Sequence, residues 1–150
     1  MEKKIPYLLR LFFVAAILYS CCANKPAHIV TTEKFVECVN QGRPDNVESY
    51  STEPTAKLVH KLLRDTLCFD ESDNIKECPG FREMVKSISG QNPKEDGTYT
   101  WPRIAKDSIS KDGRKAWVWL EYPKDGRTSN YELALINVDR VWLVDLPILE

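Results

Sequence analysis

The side chains able to do chemistry are few in this 150-residue chain: two histidines, five cysteines and a handful of carboxylates that fall on apolar patterns. Asp107 is the first candidate. If the reversal at Asp112-Gly113 is tight, Asp107 stands opposite Val118 on the inner side of a sheet. Burial there would raise its pKa and make it a general base, with His60, Tyr50 or Tyr131 as partners. Against this, Lys106-Asp107-Ser108 is a polar run, and one bulge would turn the carboxylate to solvent. No Ser/His/Asp order, no CxxC, no His cluster and no phosphate-binding loop accompanies it. His28 is read as a solvated residue of a tether.

Cys68 and Cys78 bound an acidic stretch. Three readings stay open for them: a Cys68–Cys78 disulfide, which in an exported chain would contribute on the order of 2–3 kcal/mol by closing a short loop, free thiols, or a different pairing. The intervening Asp70, Glu71 and Asp73 are read as a solvated loop rather than a calcium site, because Ile75 occupies the place where an EF-hand loop needs glycine. No metal or cofactor is expected. Cys38 would be left over. Cys21 is the other notable thiol, because it ends a short apolar run.

The elements that would position these groups can be read from periodicity. Apolar residues recur at helical spacing in Phe35, Val36, Cys38 and Val39, predicting a helix from Thr31 or Thr32 that stops before Gly42. A helical turn is expected over 45–50, a third segment from Pro54 to Leu67 with Leu58, Val59, Leu62 and Leu63 on one face, and a fourth from Pro79 with Phe81, Met84, Val85 and Ile88. Residues 91–100 read as a connector. From Trp101 to Leu146 the pattern becomes four strands, with turns at Asp112-Gly113, Asp125-Gly126 and Asp139-Arg140. Two-residue turns pair Lys124 with Arg127, Val118 with Leu133, Ala116 with Leu135, Leu135 with Val144 and Asn137 with Trp142. One face is then uniformly apolar and needs helices over it. The other mixes Trp117, Trp119, Ile136 and Leu143 with charged groups and is a candidate interface. The predicted class is α+β, with N-terminal helices on a curved four-stranded antiparallel meander.

A formal charge of −1 gives no basic stripe, so nucleic acid is not an expected partner. Residues 1–20 read as an export signal, with Lys3-Lys4 at the start and only eight uninterrupted apolar residues from Leu11 to Leu18. A resident membrane helix needs about 20. Without them the chain keeps 18 basic and 21 acidic side chains, a formal −3. Residues 21–30 read as a tether, and 31–150 as one domain.

Leu18-Tyr19-Ser20-Cys21 resembles the lipobox of bacterial lipoproteins. In that family the signal is cut before the cysteine and the thiol carries a diacylglyceryl group, which implies lipidation at Cys21 and a place on a membrane of the bacterial cell envelope. Tyr19 is bulkier than the common residue at its position. The rest of the chain resembles the nuclear-transport-factor-2-like (NTF2-like) superfamily, and within it small bacterial lipoproteins related to lumazine-binding domains. The matching strings are Asn40-Gln41-Gly42-Arg43-Pro44-Asp45-Asn46-Val47 running into Tyr50-Ser51, and the closing 135–145 stretch, where Arg140 stands in place of the usual Gly.

This likeness implies a cone with a cavity that holds a small apolar ligand or is filled by side chains, lined by Tyr50, Asp107, Val118, Tyr131, Leu133 and Trp142. It also implies an outer sheet face that pairs with another copy or a protein partner through Trp117, Trp119, Ile136 and Leu143. The expected function is a membrane-tethered, non-catalytic ligand-binding or interaction module. The alternative is an enzyme of isomerase, dehydratase or hydrolase type using Asp107.

Overall fold

A computed structural model describes residues 24–64 and 79–146. Residues 1–23, which include the expected signal and Cys21, residues 65–78, which include Cys68 and Cys78, and 147–150 lie outside the described residues. Those that are described form an α+β domain. Helix α1 (Ala27–Asn40), a 3₁₀ segment (Pro44–Ser49), α2 (Glu53–Arg64) and α3 (Pro79–Ile88) precede β1 (Arg103–Ile109), β2 (Lys115–Lys124), β3 (Arg127–Val138) and β4 (Val141–Val144). The strands form one antiparallel sheet in sequence order.

Helix α1 begins four or five residues before the expected start. Pro26 precedes it, a residue that costs nothing where the first N–H groups lack partners anyway. His28, Thr32, Phe35, Val36 and Val39 then form one buried stripe at helical spacing, so the expected tether ends several residues early and His28 is 1% exposed rather than solvated. The helix closes in a Schellman motif: Arg43 N–H donates to the Cys38 carbonyl at 3.1 Å and Gly42 N–H to that of Val39 at 3.0 Å, with Gly42 at φ +63.

The expected strand register is present. Val118 pairs with Leu133, Ala116 with Leu135, Leu120 with Tyr131, and Leu135 with Val144. Two turns have consecutive positive φ, Asp125-Gly126 (50 and 73) and Asp139-Arg140 (50 and 68), as a type I′ reversal requires. The first hairpin differs. Its loop spans four residues, Lys111 to Arg114, between the Ser110 and Lys115 pair, where Ser110 N–H donates to the Lys115 carbonyl at 2.9 Å. Asp112 accepts from the Ser110 hydroxyl and the Arg114 N–H, which hold its carboxyl below the usual range. Because four and two residues differ by an even number centred on the same pair, Asp107 still faces Val118.

The inner face, with Ala116, Val118, Leu120, Leu133, Leu135 and Val144 all at most 1% exposed, is roofed by α1 and α3 through Phe35, Val39, Phe81, Met84, Val85 and Ile88. Helix α2, one of the helices expected over that face, contributes less to the roof. It packs on the 3₁₀ segment, because Thr52 N–H donates to the Val144 carbonyl and Val144 N–H to that of Tyr50, both at 2.9 Å, placing the start of α2 at the outer edge of β4. The opposite edge, β1, is exposed along its length.

Leu133→Ala is expected to lower unfolding free energy by about 2–5 kcal/mol in urea denaturation, whereas Val141→Ala, at an exposed position, should change it by about 0.5 kcal/mol or less. Arg140→Gly relieves a left-handed residue and should raise it by on the order of 0.5–1 kcal/mol.

Candidate functional site

Asp107 does face inward and does meet a histidine, but the partner is His28 rather than His60. His28 Nε2 lies 2.7 Å from Asp107 Oδ2. The imidazole is packed edge-on against Trp142, 5.7 Å between centroids, and Thr32 donates its hydroxyl to the His28 carbonyl. Asp107 keeps 42% of its side chain exposed because β1 is an edge strand, so the expected burial in a cavity is not found. His60 instead lies on α2, 3.1 Å from Glu48 in ion-pair range, with a geometry off the line of a hydrogen bond. Tyr131 packs on Phe81 at 5.6 Å and close to Gly80, and Tyr50 borders the core beside Val144.

Of the two expected interiors, open or packed with side chains, the buried residues match the packed one. Val118 and Leu133 are fully buried, and Trp142 is 9% exposed. None of Tyr50, Asp107, Val118, Tyr131, Leu133 and Trp142 lines the cleft alongside α1 or the one on α2.

The first cleft, of about 430 Å³, lies alongside α1, between the helix and the 97–104 stretch. Thr32, Val36 and Asn40 face it at intervals of four residues, with Glu33 and Glu37 beside them. Ile104 and Leu120 supply apolar surface from the sheet, and Tyr99 and Pro102 come from the segment entering β1. The register slip between Ile104 and Lys106 puts Ile104, rather than Ala105, opposite Leu120. The far wall is held by a small turn in which Lys94 N–H donates to the Thr98 carbonyl at 2.7 Å. Asp96 accepts from the Thr98 hydroxyl and N–H, bonds that lower its pKa, and Gly97 has φ +79. Lys25 stands at the rim, paired with Glu33 at 2.7 Å. Asn40, 2% exposed, has a side-chain oxygen with no hydrogen-bond partner among the described residues.

Comparison with protein-family models, curated proteins and solved structures finds no match. The chemistry of the site therefore rests on geometry alone. No three His, Cys, Asp or Glu side chains converge among the described residues, and no described helix is long and apolar enough to cross a membrane. A second cleft on α2 is lined by Glu48, Glu53, Lys57, His60, Lys61 and Arg64. There Lys57 pairs with Glu53 and His60 with Glu48, so its charges face one another.

The outer sheet face is only half open. Trp117, Trp119, Ile136 and Leu143 are partly buried, and Lys106 lies over the Trp119 ring at 4.2 Å, with Arg103 over Trp101 at 4.4 Å. Cys38 is a free thiol buried in α1, and burial pushes its pKa up, with the Glu37 carboxylate adding to the effect.

The cleft residues carry a sequence signal that the pattern search passes over. Asn40 ends a buried helical stripe where an apolar residue fits more cheaply, and Thr32, Val36 and Asn40 share its spacing. The 97–102 wall belongs to a stretch that composition marks only as a connector.

Removing the Asp107 carboxylate leaves the buried imidazole without its partner, so Asp107→Ala should cost about 1–3 kcal/mol in a denaturation series. Asp107→Ala and His28→Ala should be non-additive in a double-mutant cycle by about 0.5 kcal/mol or more. Cys38 should resist iodoacetamide in the folded protein and react in urea, read by peptide mass. The folded thiol holds its proton above its ordinary pKa, so this group's contribution to stability is present at neutral pH and declines as pH rises through that raised value.

Proposed function

We propose that this chain is an exported, lipid-anchored binding module of NTF2-like fold that does no chemistry of its own and takes its ligand in the cleft alongside α1. The observation carrying this reading is the cleft. Its volume of about 430 Å³ falls in the range of small-molecule sites, with apolar Val36, Ile104 and Leu120 beside polar Thr32, Glu33, Glu37, Asn40 and Thr98.

Two features of the His28–Asp107 pair weigh against the enzyme alternative. The imidazole is 1% exposed and wedged against Trp142, and neither member lines the cleft, so a bound molecule there would not meet the pair. A general base must come within hydrogen-bond reach of the proton it removes. Packing the N-terminus of α1 onto the edge strand is work enough for these two residues.

The lipid anchor follows from the sequence around Cys21. Acyl chains on one residue would hold the domain on a membrane surface, since each buried methylene contributes about 0.8 kcal/mol.

Two measurements test the reading. The mature N-terminal peptide should begin at Cys21 and carry added acyl mass, and Cys21→Ser should release the chain from membranes; retention would count against lipidation. An environment-sensitive apolar dye should bind the folded protein and be excluded by Ile104→Trp, which fills the cleft from a partly exposed position without touching the core. Equal dye binding by the variant would remove the cleft as the ligand seat.

A further inference from the structure

We infer that the ligand of this cleft is a single-chain amphiphile drawn from the membrane that holds the protein, one whose head group bears a hydrogen-bond donor. The inference rests on the proposed anchoring at Cys21 and deepens the cleft's assignment.

The first argument is reach. Lys25 lines the rim of the cleft and follows Cys21 by four residues. Even fully extended, four residues span no more than about 14 Å. An acylated Cys21 therefore keeps this end of the cleft within about half a bilayer's thickness of the lipid surface. A soluble ligand gains nothing from such placement, whereas a molecule dissolved in the bilayer meets the opening on leaving it.

The second argument is shape. The α1 residues along the cleft run from Thr32 to Asn40, eight helical steps apart. At 1.5 Å per residue this is a seat about 12 Å long. Val36, Pro102, Ile104 and Leu120 give it an apolar strip, flanked on α1 by Glu37, with the Lys25–Glu33 pair at one end and Asn40 at the other. A linear apolar tail fits that distribution better than a compact polar solute. Each methylene contributes about 0.8 kcal/mol whether it is buried in protein or in lipid. Transfer between the two is thus close to balanced, so a ligand can both enter and leave.

The third argument is the head group. Asn40 is nearly fully buried, and its side-chain oxygen has no partner among the described residues. An unsatisfied acceptor calls for a donor, such as a hydroxyl or an amide N–H. An ionised carboxylate offers only acceptors. A monoacylglycerol hydroxyl can pair with that oxygen, whereas a fatty-acid carboxylate could use only the N–H donors of the same amide and would leave the oxygen unsatisfied.

The full chain, reconstituted in phosphatidylcholine and phosphatidylglycerol vesicles containing a diazirine-bearing C16 monoacylglycerol, provides the test. After photolysis, label is expected on peptides covering 32–40 and 97–104. Ile104→Trp should reduce that labelling at least about tenfold, a change of about 1.4 kcal/mol in binding, while co-sedimentation with vesicles stays the same. Unlabelled monopalmitin should compete better than palmitate, and Asn40→Leu should erase the difference. Label absent from both segments, or unaltered in Ile104→Trp, overturns the inference, and equal competition by the two lipids overturns the head-group assignment. The mass of the Cys21 peptide from the same sample separates the premises. Acylated Cys21 with an unlabelled cleft defeats the inference alone, whereas unmodified Cys21 with a labelled cleft defeats the anchoring and leaves the cleft as the seat.

Discussion

One face of a twisted four-stranded sheet has to be taken out of water, and almost everything else in this domain follows from how that is done. Ala116, Val118, Leu120, Leu133, Leu135 and Val144 lie on that face. An antiparallel sheet with one apolar side is stable only when something apolar covers it. Helices α1 and α3 do so together, and Gly90 N–H, just past the end of α3, donates to the Asn40 carbonyl at the end of α1 at 2.8 Å. With both helices seated, the side chains at the centre of the sheet are packed as core.

The filled centre moves the binding question to the margin. Helix α1 meets the edge strand β1 through the His28–Asp107 contact, and the 97–104 stretch forms the facing wall of the cleft along the helix. The bulge next to Ala105 is decisive here. It exchanges Ala105 for Ile104 opposite Leu120, placing a larger apolar side chain at the floor of the cleft. The same bulge, with Lys106 on the outer side and Asp107 on the inner side, makes β1 a poor template for another strand, as edge strands in stable monomers require.

The His28–Asp107 bond shows how a polar pair can settle a boundary that propensity leaves open. Ala27-His28-Ile29-Val30 has no strong helix-start signal, and no side chain caps the first turn of α1. The imidazole is buried because the carboxylate across the edge strand satisfies it at 2.7 Å and Trp142 covers its ring. A group with so little exposure needs a partner to be tolerated at all. Helix α1 therefore extends back to Pro26, and the chain enters the domain at the cleft's rim.

Much of the architecture was legible in the chain itself. Alternation with a period of two and Asp-Gly reversals determined the pairing of β2 with β3, and the stripe Phe81, Met84, Val85, Ile88 determined which side of α3 is buried, since both are local consequences of backbone geometry. The Asp107–Val118 pairing was equally local, being set by the parity of its hairpin loop. Three matters were decided only by tertiary structure. Which helix covers the sheet depends on the strand-like contact of Tyr50 and Thr52 with Val144, which draws α2 to the edge. Which histidine meets Asp107 depends on residues 79 positions apart, beyond any local pattern. Where the open volume lies depends on how closely large side chains fill the space beneath two helices, and the period of an apolar pattern carries no information about what is left over.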